Sequence, residues 1–240
     1  MLKQYSLVYF LFIIIGACKQ EERLNKFSIP KIIQLAQLDT VLHSTTQSIN
    51  GVYPTFVDKY QFSKEIQIDF GKLWTNISND TSKFEYINSY TFNHWDHSET
   101  DSLSIRGFHL KTDYNTEIGY KRYNEHDKDS KVFPVYIVNE SQTPKVLLAK
   151  DGWVFAIQEA KNRKDIWQPI EEDGLDGCGN GYWKLKIQPG EFAIFLMNKY
   201  KGEFKTQLRV KLRIGKCNYI SEPYEGNISE KQFMPFKYPN

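Results

Sequence analysis

The stretch FKTQLRVKLRI, Phe204–Ile214, decides the fold. Leu208, Val210, Leu212 and Ile214 occupy every second position, and Phe204 keeps the same parity. Lys205, Gln207, Arg209, Lys211 and Arg213 fill the places between. A helix would scatter those charges around its whole circumference. A strand sends them to one face and the apolar set to the other.

The same logic spreads outward from this strand. Phe192 to Met197 is apolar at every position, which predicts a strand covered on both faces. Trp183, Leu185 and Ile187 alternate with Lys184, Lys186 and Gln188, and Ile66, Ile68 and Phe70 alternate with Glu65, Gln67 and Asp69. Trp153 opens a further alternating set with Phe155 and Ile157, read as core. Pro189-Gly190 suits the centre of a type II turn. Asp151-Gly152, Asn162 to Asp165 and Lys201-Gly202 read as hairpin connections. Aromatic residues make up 15% of the chain, which also favours strands. Together these predict an all-β chain, an antiparallel β-sandwich of about a dozen strands. No internal period suggests a solenoid or propeller.

The chain divides unevenly. Residues 1–17 read as a signal peptide. Residues 18–58 read as a tether or short helix: Ser28 and Pro30 suit a helix start, whereas the β-branched residues that follow argue for an extended stalk. Residues 59–130 are strand-rich and form either a second small sheet or part of the sandwich. Residues 131–237 carry the sandwich plan, after a charged break at Asn124 to Lys131.

The N-terminus gives an address. Lys3 supplies a positive start, Leu7 to Ile15 an apolar run, and Gly16-Ala17 the small residues that a peptidase needs. That run is too short for a hydrocarbon core, which takes about twenty residues to cross. Cys18 follows at once, and Ile15-Gly16-Ala17-Cys18 resembles the lipobox of bacterial lipoproteins, in which the cysteine is lipidated. The resemblance implies a body anchored to a membrane through Cys18. Lys19-Gln20-Glu21-Glu22 is similar to the export signal behind the lipidated cysteine of surface lipoproteins in the Bacteroidota. It implies the outer membrane, cell-surface exposed, with the periplasmic face as the alternative.

The C-terminal half carries a second resemblance. VYIVNESQTPKVLL, LKIQPGEFAIF and YKGEFKTQLRVKL follow one another in an order similar to immunoglobulin-like sandwiches of the bacterial intracellular proteinase-inhibitor type. Cys178-Gly179-Asn180-Gly181-Tyr182-Trp183, ahead of the Pro-Gly corner, resembles uncharacterised Bacteroidota lipoproteins. The likeness runs from about Val132 to Phe233 and implies a fold, with no inhibitory residue to carry over.

The chemistry-bearing groups are sparse. Cys178 and Cys217 are the cysteines left after Cys18, and in an oxidising envelope they form one disulfide or stay as two buried thiols. His94, Asp96 and His97 are candidate metal ligands, set against a polar loop tip with surface histidines. Glu171 to Gly181 invites a calcium reading, but its acids miss the alternating spacing of such loops. Trp95 and Trp167 lie beside turns and are the candidate sugar-stacking residues. The stripe Lys205, Arg209, Lys211, Arg213 suits either an acidic partner or a solvated sheet face. Neither a Gly-x-Ser-x-Gly elbow nor a His-Glu-x-x-His helix occurs. A net charge of +2 argues against a nucleic-acid partner. The sequence thus predicts no catalytic residue and no cofactor. It predicts a non-enzymatic binding or structural lipoprotein with a protein or glycan ligand. The alternatives are an inhibitor or immunity-like protein against a protease or toxin, and a glycan-binding accessory protein.

Overall fold

The computed structural model describes residues 26–35, 37–42, 52–59, 64–68, 84–86, 106–121, 129–150, 153–171, 181–214 and 217–233. The protein is all-β. The described residues hold seventeen strands and one short 3-10 helix, Glu230–Phe233. No described helix is long and apolar enough to cross a membrane.

Three layers follow from the pairing. The middle layer is a ten-stranded sheet, and the strand apolar at every position lies inside it. That strand, β14 (Glu191–Asn198), runs antiparallel to β8 (Asp129–Asn139) on one side and β3 (Val52–Lys59) on the other. Every residue of β14 is buried. Ala193, Phe195 and Met197 join one core, while Phe192, Ile194 and Leu196 join a second core on the opposite face. Double coverage was legible in the sequence for this reason: period two leaves both parities apolar only when both faces are dry. Beyond β3 the sheet continues through β10 (Trp153–Val154), β9 (Lys145–Lys150), β13 (Tyr182–Ile187) and β5 (Phe84–Tyr86).

A five-stranded sheet covers one face of this layer. Its centre is β15 (Phe204–Ile214), flanked by β11 (Ala156–Lys161) and, on the other side, by β16 (Cys217–Ile220) and β17 (Tyr224–Ile228). Leu208, Val210, Leu212 and Ile214 are buried beneath it, as the alternation predicts. The other face is covered by a two-stranded parallel sheet, β1 (Lys31–Gln34) with β4 (Glu65–Ile68), from which Ile66 and Ile68 drop into the second core. The larger sheets curl into half-barrels.

Two sequence expectations change. Within 18–58, Lys31–Gln34, Thr40–Val41 and Val52–Lys59 are strands rather than tether or helix. Their β-branched residues find sheet partners that the local pattern does not reveal: β4 for the first, and β8 for β2 (Thr40–Val41). Lys201-Gly202 is no hairpin, because β14 and β15 lie in different sheets. Gly202 is needed for close approach: a β-carbon there would overlap the backbone of Ile228 and Ser229. The chain also changes sheets at Phe155. Val154 and Ala156 enter the core between the sheets, and Phe155 and Ile157, on the other parity, are buried as the alternation predicts.

Two turns behave as read. Glu191 N–H closes a turn onto the Gln188 carbonyl at 3.0 Å, and Gly190 adopts φ +79°. The Asn162–Ile166 loop joins β11 to β12 (Trp167–Pro169), with Asp165 in the left-handed region at φ 60°.

One irregularity matters for the site. β6 (Phe108–Thr112) and β7 (Ile118–Tyr120) lie on the same side of β8, with Thr112 opposite Val135 and Ile118 opposite Val132. Residues 113–117 bulge out between them, opposite Pro134. A proline cannot donate to the ladder, so a bulge is where a strand tolerates one. The Pro134 carbonyl still accepts from Asp113 N–H at 3.1 Å. Thr116 folds back onto the Asp113 carboxylate, and Tyr114 projects from the bulge.

Candidate functional site

Among the described residues, a buried polar cluster lies where the two large sheets meet at one end. Gln158 sits on the inward parity of β11, between Ala156 and Ala160, and is fully buried. An amide there needs partners. Its Nε2 donates to Glu171 Oε1 at 2.7 Å and to the Asn198 carbonyl at 2.9 Å. Its Oε1 accepts from the Tyr224 hydroxyl at 2.9 Å. Its backbone N–H donates to Glu171 Oε2 at 2.6 Å. The Tyr200 hydroxyl donates to Glu171 Oε1 at 2.6 Å. Glu171 therefore accepts three bonds from three donors while only 5% exposed.

Burial and bonding pull this carboxyl in opposite directions. Loss of water raises its pKa, the three donors lower it, and burial wins: it is pushed up to about 7. A carboxyl poised there would suit proton transfer. Here three of its acceptor positions are taken by the protein's own donors. The geometry ties β11, the end of β14 and the start of β17 together. The Asn198 amide nitrogen, buried nearby, has no partner among the described residues.

The same end carries an aromatic and charged rim. Tyr114, from the bulge, stacks on Tyr224 with centroids 4.7 Å apart and meets Phe133 edge-on at 5.0 Å. Lys199 Nζ lies 4.7 Å above the Tyr114 ring. Glu117 pairs with Lys131 at 2.6 Å and Lys199 at 3.6 Å. The Lys131 bond is the main reason the Glu117 carboxyl stays below its usual range.

The opposite end is built from turns. Asn139 donates its amide to the Thr143 and Ile187 carbonyls, both at 2.9 Å, and accepts from the Ser141 hydroxyl and N–H. Gly190 N–H reaches the Asn139 carbonyl, and Glu140 N–H reaches the Gly107 carbonyl. The first described segment docks here. Phe27 N–H donates to Glu140 Oε1 at 2.9 Å, and its ring packs against Tyr136 and Phe192 at 5.5 and 5.4 Å. His109 Nε2 meets the other Glu140 oxygen at 3.2 Å.

The residues singled out in the sequence fare unevenly. Trp167 lies on the outer face of the five-stranded sheet and is half-buried. The Arg209 guanidinium stacks 4.2 Å from its ring, and Lys161 Nζ lies 5.5 Å away. The ring thus already holds cations where a sugar would need an open face. The basic stripe is largely matched within its own sheet. Arg209 pairs with Glu159 at 2.6 Å, Lys211 reaches the same carboxylate at 3.4 Å, and Lys205 pairs with Glu225 at 2.8 Å. Cys217 is free and half-buried. Cys18, Cys178, His94, Trp95, Asp96 and His97 lie outside the described residues. Among the described residues no three His, Cys, Asp or Glu side chains gather as metal ligands.

Sequence reasoning missed Tyr200 and Tyr224, and met Glu171 only as the first acid of a stretch weighed for calcium. One signal was present: Gln158 between two alanines is a polar side chain at an inward position, once the parity of β11 is set by Val154 and Ala156. No known protein family and no curated protein matches the chain.

Proposed function

We propose that this protein is a lipid-anchored, non-enzymatic binding lipoprotein of the outer membrane, held through Cys18 and displayed at the cell surface. The cysteine placed directly behind Ile15-Gly16-Ala17, at the end of the apolar run, carries this reading. The stacked sheets support it from the side of architecture. They form a body in which Gln158, Glu171, Tyr200 and Tyr224 bond one another in the interior, which leaves its loops for recognition. The immunoglobulin-like strand order belongs to the same reading, as does kinship with Bacteroidota surface lipoproteins. A protein ligand is favoured over a glycan, because the ring of Trp167 is stacked by Arg209.

Metabolic labelling with a fatty-acid analogue tests the anchor. The wild-type chain is expected to take up label and to partition into detergent-rich phase, and Cys18→Ser to lose both. A wild-type product that carries no label would refute the reading.

A further inference from the structure

We infer that the protein stands on its membrane by one pole, the pole of turns around Glu140 and Gly190, and offers the opposite pole to partners. The inference rests on the Cys18 anchor proposed above and adds a direction to it. Its occupant is the bilayer that carries the protein's own lipid.

Two observations fix the geometry. The first is where the chain enters the body. Phe27 is pinned by its N–H to Glu140 and by its ring between Tyr136 and Phe192, so the body begins at that pole. From there β1 runs across the middle sheet toward the other end, where Gln34 exchanges two hydrogen bonds with Gly119, each 3.0 Å. The second is the short chain left over. Cys18 to Phe27 is nine residue steps. Fully drawn out that reaches about 30 Å, and a relaxed chain of that length averages about 17 Å.

The body is longer than that average. β8 alone runs from Asn139 at the docked pole to Lys131, about 27 Å at strand rise. Lys199 N–H bonds the Lys131 carbonyl there, and the chain continues to Gly202 against Ile228 and Ser229. The Asn162–Ile166 loop joins this end through Arg163, which pairs with Glu230 at 2.6 Å. Ile166, 54% exposed, stands in that loop. A tether whose average span is shorter than the body, attached at one pole, keeps that pole near the headgroups most of the time.

Energy transfer to a labelled bilayer tests this. The full chain is made in a host that lipidates it, with Cys178→Ser and Cys217→Ser, and a donor dye is placed at Gln142→Cys or at Lys164→Cys. Both positions are exposed, one at each pole. The protein is inserted in vesicles carrying an acceptor on the headgroups, and flotation is read separately. Transfer several-fold stronger from 142 than from 164 is expected, and a twenty-residue Gly-Ser insertion after Glu22 should shrink the difference. Equal or reversed transfer in protein that floats overturns the orientation while leaving the anchor intact. A difference that survives the insertion unchanged overturns the tether argument. Failure to float overturns the anchor itself.

Discussion

Glu171 is a buried carboxyl on which three hydrogen bonds converge. Its three bonds come from Gln158 and Tyr200, and all three donors favour the anion. Burial nevertheless holds its pKa at about 7, against an ordinary 4.5. Between those two values the folded protein keeps a proton that the unfolded chain releases. Stability from this group is therefore complete below about pH 4.5, declines as pH rises to about 7, and is flat above. The linked free energy is on the order of 3 kcal/mol. Glu171→Gln cannot titrate, and its amide would turn a donor toward Gln158 N–H. The expected result is a wild-type unfolding free energy that falls relative to the Gln variant across that window, read from urea melts at half-unit pH steps. Parallel profiles for the two proteins would locate the titration elsewhere. The sequence hid this site for a physical reason. Glu171 opens a run of acids and glycines that reads as a solvated loop, and only the topology brings Tyr200 and Gln158 to it.

At the scale of elements, the crossover from β14 to β15 depends on Gly202. The backbone of Ile228 and Ser229 occupies the space a β-carbon would take, so Gly202→Ala must push β17 away from its seat. Overpacking of this kind costs about 1–3 kcal/mol, whereas Lys201→Ala, at an exposed neighbouring position, should cost almost nothing. Denaturant midpoints compare the two; an alanine at 202 as stable as wild type would mean that β17 slides freely. Long strands were legible because they repeat their pattern often enough to declare a parity. β15 shows four buried positions in strict alternation, and β14 shows none exposed. β1 and β2 were not legible, since four and two residues carry too little periodicity and owe their conformation to partners distant in sequence. The sheet switch at Phe155 was hidden for the opposite reason. Val154 to Ile157 is apolar at every position across the switch, and nothing local marks where one sheet hands the chain to the next.

For the whole molecule, the layering gives the N-terminal segment a structural duty beyond linkage. Phe27 and Ile32 pack on the second core, over Phe192, Ile194, Tyr136 and Val138, and β1 is the partner of β4. Removing residues 19–39 would strip both from the middle sheet and leave β4 without its neighbour. Burying a phenylalanine or isoleucine contributes about 1.5–3 kcal/mol each, and in a chain of this size each kcal/mol moves the melting temperature by about 2–4 °C. A fall of about 5 °C or more is therefore expected, together with a rise in binding of an apolar dye to the uncovered face. A segment that served only as a tether would leave both readings unchanged on deletion. The deletion thus separates a stalk that merely carries the body from a strand that completes it, and the Glu140 bond to Phe27 argues for the second.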